Sequence, residues 1–161
     1  MDPFVEMNPL RAGLRRERAA GPCCLVIFGA SGDLTRRKLV PALHSLSCEG
    51  LLDEHTQVVG VARSAMSAEE FGYHLFDGVQ EYARLDPTVC ALWPQFSTRV
   101  HYVPGEYDDP ATYRALGETL ADMDATRGTS GNRLFYLAVP PGVYPEVVTQ
   151  LGAAGLNRSP S

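Results

Sequence analysis

After residue 20 the apolar and polar positions alternate between two periods. Cys24–Phe28 is a short, continuous apolar run, the pattern of a strand buried on both faces. From Asp33 the pattern turns helical. Leu39, Leu43 and Leu46 recur at three- and four-residue steps up to a stop at Glu49-Gly50, and Pro41 predicts a kink early in that helix. Val58–Ala62 predicts a second strand. Ser67 and Glu70 have capping-box spacing and lead a helix with Phe71, Leu75, Val79 and Tyr82 on one face. Asp86-Pro87 opens a short helix through Leu92 and Trp93, and Val100–Val103 predicts a third strand. Asp109-Pro110 reads as N-cap and first helical residue ahead of Tyr113, Leu116 and Leu120. Beyond the Gly128–Gly131 turn, Leu134–Val139 is the most apolar strand. Pro140-Pro141-Gly142 breaks it, and Val147, Val148 and Leu151 predict a last helix.

This order implies an α/β fold, a Rossmann-like doubly wound parallel sheet with helices on both faces and strand order 3-2-1-4. Residues 1–20 show no apolar period and read as a flexible N-terminal arm. Residues 21–161 read as one domain.

Composition narrows the class. A chain of 161 residues with 45% hydrophobic and 20% charged positions argues against disorder, and a net charge of −5 argues against a nucleic-acid partner. No apolar stretch approaches a membrane span, and the Arg-rich start lacks the apolar core of a secretory signal. Cys23, Cys24, Cys48 and Cys90 form no C-x-x-C pair, and His44, His55, His74 and His101 show no zinc-ligand spacing. We read the cysteines as thiols, expect no metal site, and expect a reducing, cytoplasmic compartment.

The chemistry concentrates after the first strand. In such sheets ligands sit beyond the carboxyl ends of the strands, where the order reverses. There the sequence reads Gly29-Ala30-Ser31-Gly32-Asp33-Leu34. Two glycines permit a tight turn and close approach to a pyrophosphate, while the helix N-terminus supplies N–H groups and positive potential. The spacing is G-x-x-G, with Ser31 and Leu34 where further glycines usually stand. Arg36, Arg37 and Lys38 follow in the first turns, where the helix dipole disfavours cations. They point to a bound anion or form a solvated basic face. Lys38 is the sole lysine beside thirteen arginines. At the end of the second strand, where NAD-selective sites carry an acid, stand Arg63 and Ser64. Arg63 is either a fork for a 2′-phosphate, which selects NADP, or a solvated loop residue.

Residues 26–39, VIFGASGDLTRRKL, resemble the start of the glucose-6-phosphate dehydrogenase family. Gly50-Leu51-Leu52, residues 59–64 (VGVARS), 105–109 (GEYDD) and 132–144 (NRLFYLAVPPGVY) look like that family in order and spacing. The resemblance implies that Gly29, Ala30, Ser31, Gly32, Asp33, Leu34, Thr35 and Arg36 form the NADP phosphate loop. It also implies that Arg63 takes the 2′-phosphate, that Tyr144 contacts the cofactor, and that Lys38 lies near cofactor and substrate. Family members oxidise glucose 6-phosphate to 6-phosphogluconolactone, the first step of the oxidative pentose phosphate pathway, and assemble as homo-oligomers. The family's E-K-P-F-G segment, its R-I-D-H-Y-L-G-K-E segment with the catalytic base, and its α+β substrate domain do not occur in this sequence. The expectation is therefore a truncated NADP-binding portion with no catalytic residue of its own. Its last strand would be an apolar edge open to self-association. A stand-alone dinucleotide-binding or regulatory module fits the same residues. A short-chain reductase does not, because its Tyr-x-x-x-Lys pair cannot exist around Lys38.

Overall fold

A computed structural model describes residues 20–84 and 90–158. Four parallel strands form one sheet in the order β3-β2-β1-β4, as the sequence predicts. They are β1 (Cys24–Phe28), β2 (Gln57–Ala62), β3 (Val100–Pro104) and β4 (Arg133–Leu137). β1 is central, with Cys24–Phe28 in register with Gln57–Val61 on one side and Arg133–Leu137 on the other. The period-two geometry of a strand sends alternate residues to opposite faces. Cys24, Val26 and Phe28 join Val59, Val61 and Val103 beneath α4 (Pro110–Arg127) and α5 (Tyr144–Ala153). Ile27, Val58 and Ala62 face α1 (Val40–Cys48), α2 (Ala68–Tyr82) and α3 (Trp93–Ser97). Two separate cores on one sheet explain why β1 and β2 read as unbroken apolar runs.

Helix ends follow the predicted chemistry. Ser67 and Glu70 cap α2 reciprocally, through bonds of 3.1 and 2.7 Å. Asp109 accepts the Ala111 N–H at 2.8 Å ahead of Pro110, and Gly128 ends α4 at φ 71°.

The first helix departs from its pattern. Thr35–Leu39 winds as a π-turn before α1, with the Val40 N–H donating five residues back to the Thr35 carbonyl. Pro41 has no N–H and its ring crowds the carbonyl four residues earlier, so the kink is absorbed as a wider turn just upstream. That extra rotation moves the buried face off the predicted leucine stripe. Val40 and His44 are fully buried, Leu39 and Leu43 half-buried, and Leu46 exposed.

Three other expectations need correction. Val148 is exposed, and α5 buries Val147 and Leu151 instead. Asp86-Pro87 lies outside the described residues, and the helix expected through Leu92 and Trp93 starts at Trp93 and runs onward to Ser97. Cys48 and Cys90 are joined as a disulfide rather than free thiols, because folding brings α1 against the segment before α3, with 6.1 Å between their Cα atoms. The predicted arm falls in the undescribed residues except for its last member, Ala20, which bridges to Leu52.

Candidate functional site

The site is assembled where β1, β2 and β4 end. After Phe28 the chain turns at Gly29, which has φ 83°. A Cβ there would strike the Ala138 carbonyl of the segment leaving β4, so this glycine is required by the fold itself as well as by any ligand. The Gly29 and Ala30 N–H groups both donate to the Val61 carbonyl, at 2.9 and 3.2 Å. The Gly29 carbonyl in turn accepts the Gly32 N–H at 3.0 Å and the Thr35 hydroxyl at 3.1 Å. Thr35 and Ala30 are fully buried, and Gly32, Asp33 and Leu34 form the exposed outer rim. The turn is thus fixed from inside, with the N-terminal amides of the following helix behind it.

Two further loops reach this rim. Arg63 and Ser64 follow β2, both exposed, and the Ser64 and Ser31 hydroxyls are 3.2 Å apart. From β3 the Tyr102 hydroxyl donates to the Ser64 carbonyl at 2.6 Å, fixing the backbone beside Arg63. Tyr107 packs on Phe28 at a ring separation of 6.1 Å. Burial pushes its phenol upward, against the opposing pull of a Gly29 backbone hydrogen bond and the Arg63 charge. Tyr144 opens α5, partly exposed, and donates to the Leu137 carbonyl at 3.4 Å. The structure therefore brings the Gly29–Thr35 turn and the Arg63–Ser64 loop together, and holds Tyr144 to the end of β4. Tyr102 and Tyr107 were not singled out as site residues. Their sequence signal is that of any core aromatic, and only the strand order places them beside Arg63.

The basic run divides. Arg36 leaves the site, bonded to Asp77 and, at 2.9 Å, to Glu81, both on α2. Arg37 pairs with Asp33 at 3.3 Å, and both guanidinium groups lie over the Tyr82 ring, at 5.5 and 5.1 Å. The hydrogen bond to Asp77, then that to Glu81, raises the Arg36 pKa further above its ordinary range. The inference from three misplaced cations to a bound anion is corrected for these two, because protein carboxylates answer them. A helix 41 residues away supplies the main ones, which no local pattern could pair. Lys38 is exposed and has no carboxylate within salt-bridge distance among the described residues. It lines a shallow groove of about 380 Å³ with Arg37, Pro41, Tyr82 and Arg84.

Backbone amides at a helix start, the Ser31 and Ser64 hydroxyls and Arg63, which has no carboxylate within salt-bridge distance among the described residues, form a donor set suited to a phosphate-bearing nucleotide. The histidines are elsewhere. His44 sits under α1 against Trp93 and Phe96, His55 beside Asp53, His101 on Gln57, and His74 within α2. Among the described residues no helix is long and apolar enough to cross a membrane.

A family model described as "Glucose-6-phosphate dehydrogenase, NAD binding domain" matches residues 26–161. Glucose-6-phosphate 1-dehydrogenase 2 of Mycobacterium tuberculosis is 44% identical over 153 residues, covering 94% of this chain and 30% of the relative. Glucose-6-phosphate 1-dehydrogenase of Schizosaccharomyces pombe is 38% identical over 130 residues, covering 79% of this chain and 25% of that protein. A solved glucose-6-phosphate dehydrogenase in complex with its substrate glucose-6-phosphate superposes with a TM-score of 0.75 at 31% identity, over 85% of this chain and 28% of the other. The chain thus spans about 30% of the length of the curated relatives it matches.

Proposed function

The chain belongs to the glucose-6-phosphate dehydrogenase family and carries its NAD binding domain, and from that premise we propose that it binds NADP as the cofactor half of a glucose-6-phosphate oxidation. The observation that carries the reading is Arg63. It stands at the end of β2 with no carboxylate within salt-bridge distance among the described residues, where a NAD-selective site would place an acid that repels a 2′-phosphate. The Ser31–Ser64 contact supports a single cradle, with Gly29 to Thr35 on the pyrophosphate side and Arg63 on the 2′-phosphate side. On the family resemblance we assign Asp33, Leu34 and Tyr144 to the approach and Lys38 to the sugar-phosphate side. Arg36 serves by holding the turn against α2 rather than by touching the ligand. NADP, when bound, supplies the hydride acceptor. The chain's own residues bind and orient it, and none of its histidines adjoins the cradle, so we assign it no proton-transfer step. The same reading places the chain in the cytoplasm.

Calorimetry with NADP and NAD tests this. A charge-assisted contact contributes about 1.5–3 kcal/mol, so Arg63→Ala should weaken NADP binding about ten- to a hundredfold and leave NAD binding nearly unchanged. Equal loss for both cofactors would make Arg63 a structural residue and sink the selectivity argument.

β4 supports a second reading, self-association. It is an outer strand of the described sheet, with Leu134 58% and Tyr136 41% exposed. An apolar edge with few charges favours pairing with another chain. Gel filtration over a concentration series should show growth in apparent mass. A monomer at all concentrations would refute it.

A further inference from the structure

Cys48 and Cys90 close a loop that contains β2, Arg63 and all of α2, including the carboxylates that hold Arg36. Both sulfur-bearing residues are half-buried, so a reductant can reach them, whereas Cys24 is buried. Beside them lies His44, fully buried, with its ring nitrogens 3.8 and 3.9 Å from the Cys48 sulfur. Its ring also packs on Trp93 and Phe96, at 6.2 and 6.1 Å between centroids. A buried imidazole beside the Cys48 sulfur can accept a hydrogen bond from the thiol that forms on reduction, and burial lowers its pKa. Disulfides of reducing compartments are chiefly transient or redox-sensing rather than structural.

We propose that Cys48–Cys90 is a reversible thiol–disulfide exchange site, whose co-reactant is a dithiol, and that its state sets how firmly α2 and the Arg63 loop are held. The regulatory half rests on the NADP reading, and the reversibility on a reducing, cytoplasmic setting. A thiolate of the external dithiol attacks one sulfur, the Cys48–Cys90 bond breaks, and a mixed disulfide forms. The second external thiol then displaces the remaining cysteine. Two electrons and two protons pass to Cys48 and Cys90, and the external dithiol leaves as a disulfide. Reduction frees a long loop, which lowers stability through the unfolded chain's greater entropy.

The full chain, equilibrated in glutathione mixtures, is quenched with an alkylating agent under denaturing conditions and weighed by mass spectrometry. Two alkylated cysteines are expected in oxidised mixtures and four in reduced ones, the pair Cys48 and Cys90 changing together. Reduction with dithiothreitol should lower Tm by about 5–10 °C. It should also change the emission of Trp93, the sole tryptophan. Cys48→Ser should lose the response of Tm to reductant. NADP titrations of both forms then read the regulatory half, with weaker binding expected after reduction. Two alkylated cysteines in every mixture would mean a structural staple and overturn the exchange site. Four in every mixture would overturn it too, as would zinc retained by a protein with four reactive thiols. An unchanged Tm, or equal NADP affinity in both forms, would overturn the control of α2. Absence of NADP binding in either form, with the exchange intact, would instead strike the function proposed above.

Discussion

The two ends of the sheet are built on opposite terms. At the amino ends two charged side chains are each held by several protein groups. The Asp124 carboxylate accepts the Thr129 hydroxyl at 2.6 Å, the Gly131 N–H at 2.8 Å and the Arg133 guanidinium at 3.0 Å. Arg99 donates to the Asp53 carbonyl and the Ser47 hydroxyl and lies over the Phe96 ring. At the carboxyl ends the backbone is held just as firmly, through the Gly29, Val61 and Ser64 carbonyls, yet Arg63 has no carboxylate within salt-bridge distance among the described residues. The larger cavity, about 790 Å³ and lined by Ser47, Gln57, Arg99 and Arg127, lies at the amino end. Volume therefore points to one end, and an open guanidinium beside a fixed turn to the other. Arg63 beside that turn marks the ligand, because an anion gains little from a guanidinium whose donors are already taken.

The largest effect that could break this contrast is at Gly29. Alanine there meets both left-handed backbone strain and the Ala138 carbonyl. Each of those terms costs on the order of 1–3 kcal/mol, so Gly29→Ala should lower stability by about 2–4 kcal/mol and abolish NADP binding. Urea denaturation together with calorimetry reads both. A fully stable variant that still binds would show that the turn tolerates change.

The amino end should fail in acid. Burial alone would raise the Asp124 pKa, but the bonds from Thr129, Gly131 and Arg133 outweigh it and hold the carboxyl below its usual range. A depressed folded-state pKa means that the unfolded chain takes up its proton first as pH falls. The stabilisation is present above the unfolded carboxylate range near pH 4 and is lost as pH drops through the folded value. Asp124→Ala should cost about 1–3 kcal/mol at neutral pH and flatten that acid limb, with NADP affinity changed little. A large loss of affinity would mean that the two ends are coupled.

The smallest effect lies between them, at the α2 cap. Ser67→Ala should cost about 1 kcal/mol, read as a lower urea midpoint at unchanged slope. No measurable change would mean that packing of Phe71, Leu75 and Val79 alone sets where α2 begins.

Both helix caps, the Gly29 turn and the place of Arg63 were legible from the residues because each rests on local chemistry, and strand order followed from right-handed crossovers with a reversal after the first pair. Apolar period, a hydroxyl or carboxylate before a helix, and a glycine after a strand act within a few residues of where they are written. The fates of Arg36, Cys48, Leu46 and Val148 were not legible. Asp77 and Glu81 meet Arg36 only because α2 packs on the π-turn, and the Gly78 position permits that approach since a Cβ there would strike the Arg36 carbonyl. Cys90 meets Cys48 across a separation of 42 residues. Leu46 loses its place in the core because the π-turn before Pro41 rotates the helix face, a consequence of backbone hydrogen bonding that apolar spacing does not encode. The sequence by itself determined the sheet and the chemistry at its carboxyl edge. Tertiary structure decided which cations remain free there, because charge neutralisation depends on distance through space and not along the chain.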